Sequence, residues 1–303
     1  MCNPERVLFA LVNNKGYGGF HLTHVVVQGS DVLTTEARKN IQPALKQGIA
    51  KLGKGVFGFA FIGCLDTKCE RMVVIKVAEK GLRHEYVILK LISKLSPHVP
   101  VPYFHVKCKN REMLYEEYAN GGDVIGFFDK YRNIIREAHL KTIVFQILWT
   151  LYTIQKSVPS FRHNDLHLGN VLLNFHGRTV GGTKYKVGAK TFVVPSVGLT
   201  ALISDFDWAS MEGASNPKVT NRSSCNSHGI CDDNDKLYDA HLFLNSLIIE
   251  MHRLQRPALT GRLEKFIIEA FGGSMSYVGN TTNKVRDARL RFAANHRGLM
   301  SLQ

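Results

Sequence analysis

Residues 163–173 read HNDLHLGNVLL, and the fold turns on how this stretch is understood. Asp165 and Asn170 stand five apart in a polar segment that runs straight into Val171, Leu172 and Leu173, the pattern of a loop entering a buried strand. At that spacing a carboxylate and an amide can face one cavity. The first orients a hydroxyl and accepts its proton, and the second offers an oxygen to Mg²⁺. Downstream, LISDFDWAS (202–210) sets Asp205 at the end of a second apolar strand, where its carboxylate suits a further metal ligand. Taken singly, each Asp is a commonplace cap or turn residue, and His163 reads as a brace for the loop rather than as an acid or base.

Upstream, LGKGVFGFA (52–60) places Gly53, Gly55 and Gly58 in a G-x-G-x-x-G frame. Strand-like runs flank it on both sides, so it reads as a glycine hairpin whose N–H groups can approach phosphate oxygens, not as the helix-opening turn of a dinucleotide site. VVIK (73–76) then puts Lys76 inside a β-branched run, and Glu85 follows nine residues later on a predicted helix. A carboxylate there can hold the Lys76 ammonium in place. Alone, each reads as a solvent-facing charge; the order of the elements is what carries the signal.

The surrounding chain divides into a strand-rich half and a helix-rich half. Runs at 49–55, 57–65, 71–78, 100–107 and 112–119 have strand character, and Leu82 to Leu95 has helical spacing that Pro97 and Pro100 end. After NGGD (120–123) the pattern is mainly helical, with a broad apolar face over Ala138 to Ile154 and a strongly apolar run over Asp239 to Met251. Two β-prone stretches, Lys184–Val187 and Thr191–Val194, surround Gly188 and predict a hairpin. Residues 1–48 show no clear period and read as an irregular N-terminal extension of unknown role. Residues 49–119 form a predicted first lobe and 120–303 a second, which includes a hairpin insert (175–200) and a basic C-terminal segment.

Composition sets limits on this reading. The 303 residues are 45% hydrophobic and 21% charged, which excludes a disordered or collagen-like chain, and no apolar run is long enough to span a membrane. Without an export signal the expected location is cytoplasmic, and the six cysteines are expected as free thiols. Cys225, His228 and Cys231 have zinc-ligand chemistry but supply only three ligands, so free cysteines are the reading preferred. Trp149 and Trp208 read as core packing rather than a platform for bases.

Taken together, the glycine frame, strand Lys, helix Glu, H-x-D-x-x-x-x-N and D-F-D resemble the eukaryotic-type protein kinase superfamily over roughly Ile49 to Met251. The hairpin before Asp205 and the wording HNDLH are similar to serine/threonine kinases of large DNA viruses. The resemblance implies an α+β bilobed fold: an antiparallel N-lobe sheet with one main helix, and a mostly helical C-lobe. It also implies transfer of the ATP γ-phosphoryl group to Ser/Thr of protein substrates, with ATP and Mg²⁺ as cofactors. Lys76 would hold phosphates, Glu85 would brace Lys76, and Asp165 would be the base, with Asn170 and Asp205 as metal ligands. Glu117 and Ala119 would offer backbone groups to adenine, Asp123 would reach the ribose, and Asp239 would brace the catalytic loop.

The pattern departs from the family at several points. Asn164 replaces an Arg, His167 a Lys, and Asp207 the Gly of D-F-G, which costs backbone freedom there; Glu116 occupies the gatekeeper position, and no A-P-E follows. Small-molecule kinases of the aminoglycoside and choline type share the second-half motifs, and a pseudokinase scaffold is the third reading. The formal charge of +14 exceeds what a phosphate site needs: from Met251 to Gln303 there are nine Lys/Arg against three acids. This end is expected to dock an acidic protein substrate or a nucleic-acid-rich assembly, through Arg286, Arg289 and Arg291 among others.

Overall fold

The computed structural model describes residues 32–47, 49–54, 58–64, 72–108, 110–177, 181–220 and 236–270. The strand-prone runs of the first half form β1 (Ile49–Lys54), β2 (Gly58–Cys64), β3 (Met72–Ala78), β4 (Pro102–Cys108) and β5 (Arg111–Glu117). They build one antiparallel sheet in the order β1-β2-β3-β5-β4. The central position of β3 explains its unbroken apolar run: every residue but Lys76 is buried. α2 (Leu82–Ile92) packs on β3, β4 and β5 through Leu82, Ile88, Leu89 and Ile92, at helical spacing.

Helices dominate the second half: α3 (Val124–Lys130), α4 (Glu137–Ser157), α5 (Tyr238–Leu254) and α6 (Pro257–Ala270). β6 (Val171–Phe175) and β9 (Leu199–Ile203) pair as an antiparallel two-stranded sheet, and β7 (Thr183–Val187) and β8 (Lys190–Val194) form the hairpin around Gly188. This is the bilobed α+β architecture expected. α4 buries Leu140, Ile143, Val144, Ile147, Leu151 and Ile154, and α5 is buried on almost every side, as its apolar run requires. The hairpin docks through Tyr185. Its hydroxyl receives Gln146 Nε2–H (2.9 Å) and donates to His98 Nε2 (3.0 Å), while His98 Nδ1–H donates to Ala201 O (2.8 Å). Trp149 is half-buried and ties Lys186 O to α4 (2.9 Å), so it is an anchor for the insert more than a core residue.

Two expectations change. Residues 32–47, read as irregular, form a helix, α1 (Val32–Gln47), which packs on β1, β2 and β6. Only Leu33, Thr34 and Ala37 of its described side chains are buried, a stripe too narrow to give a periodic signal. Its position is fixed by tertiary contacts instead: Asn40 Nδ2 donates to Asn120 O (2.8 Å), and Glu36 pairs with Lys130. The cysteine expectation also fails for the two described cysteines, since Cys64 and Cys108 are disulfide-bonded. Each is the last residue of its strand, and inference from compartment says nothing about where the fold brings sulfurs together. Cys225, His228, Cys231 and Gly55 lie outside the described residues.

The glycines of the first hairpin are not equivalent. A Cβ on Gly58 would stand 2.1 Å from Val77 O, whereas one on Gly53 would meet nothing within 4 Å. Gly58→Ala is therefore expected to cost about 1–3 kcal/mol in denaturant unfolding, and Gly53→Ala under about 0.5 kcal/mol. Equal losses at both positions would contradict this packing.

The described part of the basic end is already engaged. Arg253 pairs with Glu250 and Asp129, Arg262 with Glu137 and Lys265 with Glu269, and Arg256 donates to Arg132 O. Arg253, Arg256 and Arg262 tie α5 and α6 to the rest of the helical half, while the Lys265 pair lies within α6. Arg286, Arg289 and Arg291 lie outside the described residues.

Candidate active site

The central strand delivers Lys76 to a cavity between the two halves, lined among others by Gly58, Ala60, Glu85, Asp205 and Asp207. α2 brings Glu85 to it, with Lys76 Nζ 2.6 Å from Glu85 Oε1. β5 brings Glu116, 3.0 Å from the same nitrogen. Burial alone would lower the lysine's pKa; the pull of Glu116, then Glu85 and Asp205, overrides it and holds the ammonium above the ordinary lysine range. Burial pushes both Glu85 and Glu116 up from the carboxylate range, opposed by Lys76. Glu85 Oε1 also accepts from Phe206 N (3.2 Å), which joins α2 to the D-F-D segment.

The loop before β6 is held from beneath. Asp239, fully buried at the start of α5, accepts from His163 N (2.7 Å) and Asn164 N (2.8 Å). Burial raises its carboxyl to about 6, with the two amides pulling the other way. His163 Nε2–H donates to Ser204 O (3.0 Å), Nδ1 accepts from Asp165 N (3.3 Å), and the ring packs on Phe206 at 4.9 Å. His163 is thus the structural brace expected. Asn170 Nδ2 donates to Asp165 O (2.8 Å), and Asn170 O accepts from Ser204 N (2.9 Å). The amide's Oδ1 is left as the end offered to another partner. Asp205, exposed and with φ 63°, lines the same cavity, and its charge acts on Lys76. Lys76, Glu85, Asn170 and Asp165 are therefore tied together by hydrogen bonds to the Ser204–Phe206 backbone, which carries Asp205.

Three departures acquire physical reasons. Asn164 has φ 65° and donates through Nδ2 to Trp208 O (3.0 Å) and Ser210 Oγ (3.2 Å). It adopts a left-handed conformation that Asn tolerates and ties the loop to the segment after D-F-D; an Arg would do neither. Asp207 carries no positive φ, so the expected cost of losing a Gly there does not arise; the strained residue is Asp205. Asp207 instead pairs with Lys218 (2.5 Å), whose nitrogen also lies over the Trp208 ring. His167 Nδ1 accepts from Gly169 N (3.0 Å), so its proton sits on Nε2, 3.7 Å from Asp165 Oδ1. The ring lies so close that a Cβ on Gly169 would approach it to 2.8 Å. Burial lowers the His167 pKa, keeping a neutral N–H donor beside Asp165.

At the junction between halves, the Glu117 amide is taken by Val101 O (2.9 Å), while Ala119 N makes no hydrogen bond among the described residues. Asp123 caps α3 through Gly126 N (2.8 Å), an ordinary use of an Asp at a helix start. Sequence reasoning missed Asn120, which is buried and clamps this junction: Nδ2 donates to Phe175 O (3.1 Å) and Oδ1 accepts from Phe175 N (2.7 Å). An Asn in a Gly-rich run reads as a turn residue, and nothing local marks it otherwise. His84 was missed for the same reason: its Nε2–H donates to Ala209 O (2.7 Å), 125 residues away.

Among the described residues no group of three or more His, Cys, Asp or Glu could hold a metal by itself. One carboxylate and one amide oxygen is the sparse, hard-oxygen set that Mg²⁺ takes when substrate phosphates complete its shell, so Asp205 and Asn170 fit that ion.

The chain is similar in sequence to known protein kinases. A family model described as poxvirus serine/threonine protein kinase matches residues 116–288, more than half of the chain. A putative serine/threonine-protein kinase of Acanthamoeba polyphaga mimivirus is 32% identical over 140 residues, covering 45% of this chain and 30% of that protein. A serine/threonine-protein kinase of Dictyostelium discoideum is 26% identical over 178 residues, covering 56% and 35% respectively. The match thus spans about a third of the length of these relatives.

Proposed function

The chain belongs to the poxvirus serine/threonine protein kinase family, and from that premise we propose that it transfers the γ-phosphoryl group of ATP, with Mg²⁺, to Ser or Thr hydroxyls of protein substrates. The observation that carries this reading is that Lys76, Glu85 and Asp205 line one cavity while Asp165 and Asn170 are joined to them through the Ser204–Phe206 backbone, with 2.6 Å for the Lys–Glu pair and 2.8 Å within the loop. Coincidental turn and surface residues have no reason to share one hydrogen-bonded frame.

In this reading Lys76 offers its ammonium to the α/β-phosphates, and Glu85 keeps it oriented. Asp165 accepts the hydroxyl proton as the acceptor oxygen attacks. His167 Nε2–H, the neutral donor next to it, orients Asp165 or a γ-phosphate oxygen without adding charge. Asn170 Oδ1 and the Asp205 carboxylate would hold Mg²⁺, which supplies neutralisation of charge on the phosphates. Gly53, Gly55 and Gly58 would cover the phosphates, although Gly58 is already required by its approach to Val77 O. The Ala119 N–H and the Glu117 carbonyl would meet adenine, and Asp123 would reach the ribose. Residues 49–119 and 120–303 act as the two lobes. The basic segment that follows residue 270 would dock an acidic protein substrate.

Calorimetric titration with ATP tests the nucleotide part. Affinity is expected to fall at least about tenfold when Mg²⁺ is chelated, and by a similar factor in Lys76→Ala. Equal ATP affinity with and without Mg²⁺ would overturn the assignment of Asn170 and Asp205.

A further inference from the structure

Lys76 is held by two buried carboxylates where one would orient it, and the two differ in how they are held. Glu85 Oε1 has a second donor, Phe206 N at 3.2 Å. Glu116, with a side chain 3% exposed, has Lys76 Nζ at 3.0 Å as its only polar partner among the described residues. It stands on β5 opposite Val74 of β3, two residues along from the Lys76–Leu114 pair, and unlike Lys76, Glu85 and Asp205 it does not line the cavity. If Lys76 moves toward an incoming anion, Glu85 keeps a hydrogen bond. Glu116 loses the only charge that compensates its burial.

We propose that Glu116 is a positioning residue that competes with the nucleotide's phosphates for Lys76, and so sets nucleotide affinity without touching the nucleotide. The proposal rests on the assignment of Lys76 as the phosphate-binding lysine. It differs from the role of Glu85 in sign: Glu85 supports the geometry that binds phosphate, whereas Glu116 stabilises the enzyme before phosphate arrives. The other charged group facing this cluster is Asp205, which also draws on the Lys76 charge. With three carboxylates around one ammonium, removing the one that does not line the cavity should favour a polyanion.

The test is a cycle of Glu116→Gln, Lys76→Met and the double variant, with nucleotide affinity and the KM and kcat of transfer as readouts. Glu116→Gln keeps shape and polarity and removes the charge. It is expected to lower KM for ATP about 3–10-fold, the worth of one such hydrogen-bonded contact, with kcat within about twofold. In the Lys76→Met background, Glu116→Gln should leave ATP affinity unchanged, because the competition runs through Lys76. Should Glu116→Gln fail to fold, Glu116→Met, which leaves no unpaired polar group, is read in its place with the same expectations. A KM that rises or stays the same in a folded Glu116 variant overturns the proposal, as does an equal effect with and without Lys76. Wild-type protein that binds no ATP would instead overturn the nucleotide reading itself, so the two failures are distinguishable.

Discussion

Asp165→Asn is expected to lower phosphoryl transfer by about 10²–10⁴-fold, the usual contribution of a general base, while ATP affinity stays within about twofold. The substitution is nearly isosteric. Two contacts that position this loop at Asp165 run through its backbone: its carbonyl accepts from Asn170 Nδ2 and its amide donates to His163 Nδ1. Neither depends on the carboxylate, so the frame should survive and only the proton acceptor should be lost. Steady-state kinetics with a protein substrate gives kcat, and titration with ATP gives affinity. A comparable loss of both would mean that Asp165 holds the site together and does not act on the acceptor hydroxyl.

Asp239→Leu is expected to cost roughly 2–5 kcal/mol of stability, because it strands two buried amides, His163 N and Asn164 N, each worth about 1–3 kcal/mol when left unsatisfied. Those amides sit directly before Asp165, so activity should fall with the fold. The pH dependence gives a separate check. The Asp239 carboxyl is raised from 3.8 to about 6 in the folded chain. A group whose folded pKa exceeds its unfolded one binds more protons when folded, so its contribution to stability is full below about pH 4 and is lost as pH rises toward 6. Asp239→Asn, which stays neutral, should flatten the stability curve between pH 4 and 6 and cost less than Leu. Denaturant unfolding over that range measures both. A Leu variant as stable as the wild type would remove Asp239 from its supporting role.

Much of this site was legible from spacing, because its parts are local. HNDLHLGN names a loop and a strand entry in eight residues, and a Lys inside a β-branched run has few places to go. The family match and the five-stranded sheet bear out the resemblance and the fold class. What was illegible is what depends on distant partners. α1 is a helix because Asn40 reaches Asn120 and Glu36 reaches Lys130, and no window of sixteen residues contains those facts. Asn164 read as the loss of a cation, whereas its left-handed φ and its bonds to Trp208 and Ser210 are a gain. Glu116 read as an unusual gatekeeper; its pairing with Lys76 is visible only when β3 and β5 lie side by side. The basic C-terminal charge read as free for docking, yet its described portion is spent on Glu250, Asp129, Glu137 and Glu269.

The most direct test of the central claim is incubation of the purified chain with γ-labelled ATP and Mg²⁺, together with casein-like protein, choline and an amino sugar in separate reactions. The account predicts label on Ser or Thr of protein, absent with chelator and absent in Asp165→Asn. Label on choline or the sugar alone, or bound ATP with no transfer to any acceptor, would contradict it.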